Sequence, residues 1–84
     1  MNANFGATTA AGDSQNSDGI TVSGLLTTDF LAVMISDTTY PAGYGAPCAQ
    51  RMTTNGSMQV RVTNASNSAI GPGAYNFRVA KIPL

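Results

Sequence analysis

Two runs inside Gly56–Leu84 decide the fold: Ser57-Met58-Gln59-Val60-Arg61-Val62-Thr63 and Ala74-Tyr75-Asn76-Phe77-Arg78-Val79-Ala80-Lys81-Ile82. In the first, Met58, Val60 and Val62 alternate with Gln59, Arg61 and Thr63. A period of two puts one set on each face of a pleat, the mark of a half-buried β-strand. The second run repeats the pattern, with Tyr75, Phe77 and Val79 on one face and Asn76, Arg78 and Ala80 on the other. Pro83 cannot donate to a ladder and ends it. The link Asn64–Gly73 is too long and polar for a tight hairpin, so it is predicted to cross between sheets with Ile70 tucked beneath it.

Working towards the N-terminus, Asn55-Gly56 is a strong type I′ hairpin signal. It predicts a strand over Pro47–Met52 that pairs antiparallel with Ser57–Thr63. Ser36–Pro47 holds Pro41, Gly43, Gly45 and Pro47 and reads as a surface loop. Tyr40 and Tyr44 within it either cap the open end of the β-core or form a contact patch. Phe30-Leu31-Ala32-Val33-Met34-Ile35 is apolar on both faces and too short for a helix, so it predicts a strand covered on both sides. Its second face, with Phe30, Ala32 and Met34, then needs a cover outside its own core. Ile20-Thr21-Val22 reads as a short strand. No apolar period of 3.6 persists over two turns. The predicted fold is all-β: a small antiparallel β-sandwich or flattened barrel of about five to six strands.

Residues 1–19 are rich in Ala, Thr, Asn, Ser, Gly and Asp, and Phe5 is their only large apolar side chain. Such a segment buries too little to offset its ordering entropy. It is predicted to be a flexible N-terminal arm, with Phe5 the anchor if the arm orders on a partner, ahead of a β-domain over 20–84. About sixty-five residues bury only about 60% of their unfolded surface. Small domains usually offset this with disulfides, a metal or a partner. Cys48 is the sole cysteine and histidine is absent, which excludes an intrachain disulfide and leaves little for zinc. Cys48 reads as a small buried apolar residue. Oligomerisation is the remaining compensation. Burying roughly 400 Å² of apolar surface per subunit contributes on the order of 10 kcal/mol gross, reduced by association costs.

Four Asp, all before residue 38, balance four Lys and Arg, all after residue 50. Zero net charge argues against a nucleic-acid partner. No stretch is long enough to span a bilayer, and no secretory signal is read in the first residues. The expected setting is cytosolic or within an assembly. Arg61 and Arg78 read either as a solvated sheet face or as partners for Asp29 or Asp37 of an adjoining protomer. With no histidine and scattered aspartates, no acid–base pair is expected, and no cofactor or metal site. Asp13 to Asp18 lacks the ligand spacing of a calcium loop. Gly43-Tyr44-Gly45 and Gly71-Pro72-Gly73 lack the lysine and helix of a phosphate loop. Asn55-Gly56-Ser57 and Asn64-Ala65-Ser66 match the glycosylation acceptor pattern but read as turn residues.

From Ile20 to Leu84 the chain resembles the small β-sandwich decoration (cement) or head-fibre proteins of tailed bacteriophages. The likeness lies in Ile20-Thr21-Val22-Ser23-Gly24-Leu25-Leu26-Thr27-Thr28-Asp29 followed by the Phe30–Ile35 run. It continues in Asn55-Gly56-Ser57-Met58-Gln59-Val60-Arg61-Val62-Thr63-Asn64 and in Ile70-Gly71-Pro72-Gly73-Ala74-Tyr75-Asn76-Phe77-Arg78-Val79. The resemblance implies a homo-oligomer, a trimer or a dimer, on the virion's outer capsid surface, clamping copies of the major capsid protein. Such proteins often do so through an extended terminal arm. The competing expectation is a tail-fibre, baseplate or carbohydrate-contacting module in which Tyr40 and Tyr44 stack on sugar rings. The expected interface residues are Phe5, Phe30, Ala32, Met34, Tyr40, Tyr44, Arg61 and Arg78.

Overall fold

The alternation in the two diagnostic runs is the alternation the folded chain buries. Met58, Val60 and Val62 are at most 2% exposed, and Phe77 is at 1%. A computed structural model describes residues 1–50 and 52–82. Among them are eight strands: β1 Asn2–Phe5, β2 Ser14–Asn16, β3 Ile20–Thr21, β4 Phe30–Ile35, β5 Cys48–Ala49, β6 Ser57–Met58, β7 Val60–Thr63 and β8 Gly73–Ile82. All pairings are antiparallel. One sheet has the order β1-β8-β4, a second β2-β7-β5, and β3-β6 form a two-stranded ribbon. Inward side chains of the two larger sheets meet in one core: Ala3, Phe5 and Phe77 from the first, Val60 and Val62 from the second. Met58, Leu25 and Tyr44 complete it. The chain is all-β, as the alternation predicts.

Eight strands replace the expected five or six for two reasons. The run Ser57–Thr63 is interrupted at Gln59, whose carbonyl accepts from Gln50 N and whose side-chain amide donates to Ser17 O. One extended segment thus changes partner, from β3 before Gln59 to β2 and β5 after it. The second reason is the N-terminal segment. Instead of a free arm, residues 2–5 pair with Asn76–Gly73 of β8 and residues 14–16 with Thr63–Arg61 of β7. Ala3 and Phe5 are wholly buried while Asn2 and Asn4 face out. Phe5 is a core residue and is not available as an exposed anchor. Weighing side-chain hydrophobicity alone misses the ladder itself, which satisfies backbone groups that a buried chain must pair.

The expected β5–β7 pairing is present, but only Cys48 and Ala49 take part, and Arg51 lies outside the described residues, as does Pro83. Asn55-Gly56 is not a type I′ turn, because among the described residues only glycines have positive φ and that turn needs it at Asn55 as well. Of the pair, Gly56 has positive φ, at 79°, with Ser57 N bonded to Thr54 O, which suits the third position of a type II turn. The link 64–73 does cross from the β2-β7-β5 sheet to the β1-β8-β4 sheet, and Ile70 within it forms a bridge with Thr9. At its end the Tyr75 ring lies over Gly73, where an added Cβ would sit 2.9 Å from Cζ.

Candidate interaction surface

Two polar networks fix the loops around the sandwich. Asn64 is fully buried, and its side-chain amide donates to Thr9 O and Ser68 O, both at 2.9 Å, while its oxygen accepts from Ser66 N and Oγ. All four side-chain bonds are therefore made, and the acceptor pattern beginning at Asn64 offers no accessible nitrogen for a glycan. Asp37 ends the β4–β8 ladder. Its carboxylate accepts from Asn76 N and from the amide and hydroxyl of Thr39. Those donors, Thr39's hydroxyl foremost, hold its pKa below the usual value.

Tyr40 and Tyr44 belong to an aromatic cluster with Phe5, Tyr75 and Phe77, with ring centroids 5.7–6.5 Å apart. The Tyr40 hydroxyl donates to Gly45 O at 2.7 Å, and the Tyr44 hydroxyl shares a bond with Thr9 Oγ1. Tyr44 is 6% exposed. Desolvation, aided by Tyr44, pushes the Tyr40 hydroxyl up to about 12. Both rings therefore pack against the core, Tyr44 buried and Tyr40 partly buried.

Arg61 and Arg78 do not share a face, because β7 and β8 belong to different sheets. Arg61 Nη1 reaches Asn16 Oδ1 at 3.2 Å within the chain, and Arg78 is exposed beside Met34. Asp29, proposed above as a partner for an arginine, is instead 3.2 Å from Lys81 Nζ. Its carboxylate also accepts from Leu26 N, which is the main cause of its lowered pKa. Cys48 is exposed rather than buried, because it sits on the outward side of the β2-β7-β5 sheet.

Exposed apolar side chains gather on one sheet face. The outer face of the β2-β7-β5 sheet carries Ser14, Asn16, Arg61 and Thr63 beside Cys48 and is mostly polar. The outer face of the other sheet divides. On the β1 side it carries Asn2, Asn4 and Asn76. On the β4 side Phe30 lies opposite Ile82, Ala32 opposite Ala80 and Met34 opposite Arg78. Phe30 is 56% exposed, Met34 49% and Ile82 48%. Leu31 and Val33 of the same strand turn inward onto the core. The structure thus brings Phe30, Ala32 and Met34 together as expected, and adds Ile82 and Ala80. Ile82 was legible, since it continues the Asn76, Arg78, Ala80 parity by one step.

Among the described residues no group of three or more potential metal ligands occurs, and no helix is long and apolar enough to cross a membrane. No protein-family model, curated protein or solved structure matches the chain.

Proposed function

We propose that this chain is a virion structural protein, a decoration or cement subunit that oligomerises and sits on the outer surface of a tailed-phage capsid. The observation that carries the proposal is the outer face of β4, where Phe30, Ala32 and Met34 meet Ile82 and Ala80 and remain in contact with solvent. Apolar side chains of this size gathered on one side, with a polar sheet face opposite, mark a contact surface. The capsid as the surface's target comes from the resemblance of Ile20–Leu84 to phage decoration proteins. Burial of Tyr44 and the internal bonds of Tyr40 weigh against the sugar-stacking alternative.

The test is retention of packaged DNA by heated heads, with and without added protein. Wild type should raise the temperature of DNA release. Phe30→Asp combined with Met34→Asp should abolish the rise while leaving the fold intact, since both side chains are about half exposed. An unchanged release temperature with wild-type protein would remove the proposal.

A further inference from the structure

The turn Thr54–Ser57 sets Asn55 ahead of Gly56, and no other asparagine in the chain precedes a glycine. In an open chain that pair is chemically unstable. The amide nitrogen after an asparagine can attack the side-chain carbonyl carbon, and glycine, with no Cβ, hinders the approach least. Two conditions must be met. The nitrogen has to lose its proton to a base, and the carboxamide has to be free to turn onto it. In the folded chain both groups are held by one loop, residues 22–27, which leaves β3 and wraps the turn that leads into β6. Val22 N donates to Gly56 O at 2.8 Å, one step beyond the Thr21–Ser57 pair, and Gly56 N donates to Leu25 O at 2.7 Å. Thr27 N donates to Asn55 Oδ1 at 2.9 Å. The loop is itself anchored. Leu25 is 3% exposed and packs in the core, while Gly24, with φ of 82°, closes a turn from Val22 O to Leu25 N. Asn55 is exposed, so water reaches it. The Gly56 proton is the protected group: a hydrogen-bonded amide gives up its proton only when the bond opens.

We propose that Asn55 is a self-modification site, a deamidating asparagine whose reaction is gated by opening of the 22–27 loop. On opening, hydroxide takes the Gly56 amide proton and the nitrogen attacks Asn55 Cγ. A new C–N bond closes a five-membered imide, and Nδ2 leaves as ammonia with a proton taken from water. Water then splits one of the two acyl C–N bonds of the ring, leaving aspartate or isoaspartate at position 55. Nothing is oxidised or reduced. Isoaspartate carries the main chain through Cβ and Cγ, one atom longer than before. The spacing that lets Val22, Leu25 and Thr27 bond this turn is then lost, so the loop cannot close as it did and the change is one-way. This chemistry is independent of what the apolar face of β4 binds, and the heat-release assay does not read it.

The experiment follows the isolated full chain in mildly alkaline buffer, with aspartate and isoaspartate at position 55 quantified by peptide mass spectrometry. Hydrogen exchange at the Gly56 amide is measured under the same conditions. The folded chain should deamidate about tenfold or more slowly than the same chain in denaturing urea. Gly24→Val tests the gate. A Cβ at Gly24 meets no atom within 4 Å, but a side chain at that positive φ strains the loop backbone. The variant should raise Gly56 exchange and deamidation together, each about tenfold. If Gly24→Val does not fold, wild type in urea below its unfolding transition carries the same comparison, and the two rates should again climb in step. Equal deamidation in the folded and the urea-unfolded chain, or faster Gly56 exchange without faster deamidation, would each overturn the proposal.

Discussion

Asn64 shows how a chain poor in large apolar residues is held at a single point. It is wholly buried and makes its four side-chain bonds to Thr9, Ser66 and Ser68, while its backbone bonds Gly12 and Asp13. Removing one partner of a buried polar set leaves the others unpaired at the full cost of desolvation. Asn64→Ala should therefore lower unfolding free energy by about 3 kcal/mol, measured by urea denaturation. Asp37 works at the surface and depends on pH. Its folded pKa lies below the value of 3.8 expected of the free side chain, so its stabilisation is complete above about pH 4 and is lost as pH falls through the folded value. Wild type should lose stability on acidification below pH 4, and Asp37→Asn should be weaker at neutral pH with a shallower loss in acid. Equal slopes for the two proteins would contradict the assignment.

At the scale of elements, β1 is the instructive case. Phe5 contacts the aromatic cluster from a strand at the edge of its sheet, opposite Gly73. Phe5→Ala should destabilise the protein by about 4 kcal/mol, whereas truncating an anchor on a loose arm would leave the melting transition unchanged. Calorimetry separates the two. The strands Phe30–Ile35, Ser57–Thr63 and Gly73–Ile82 were legible because their apolar residues keep period two. β1 and β2 were not, because Asn2–Phe5 and Ser14–Asn16 contain little hydrophobic signal and are set by partners about 45 to 74 positions away. The contact surface was half legible. Phe30, Ala32 and Met34 follow from a strand apolar on both sides, but Tyr40, Tyr44 and Phe5 could not be distinguished from surface residues. Their burial depends on how the loop 36–47 folds over the sheet ends. The separation of Arg61 and Arg78 into different sheets needed the crossing at 64–73, which local patterning does not orient.

For the molecule as a whole, the two layers carry different duties. One outer face is mostly polar; the other is apolar along β4 and at Ala80 and Ile82 of β8, with Arg78 at its border, and the proposed capsid contact falls there. The Asp substitutions at Phe30 and Met34 are expected to abolish the proposed capsid attachment and to leave the thermal unfolding transition nearly unchanged, since both side chains are about half exposed. The sheet that bears them is also the one whose centre comes late in the chain. β8 lies between β1 and β4 and holds both. A chain emerging from the ribosome delivers β1 and β4 well before β8, and neither has its sheet partner until Gly73–Ile82 follows. The apolar outer face shared by β4 and β8 is thus assembled only once β8 has been made. A chain cut short before Gly73 would lack the strand with which both β1 and β4 pair.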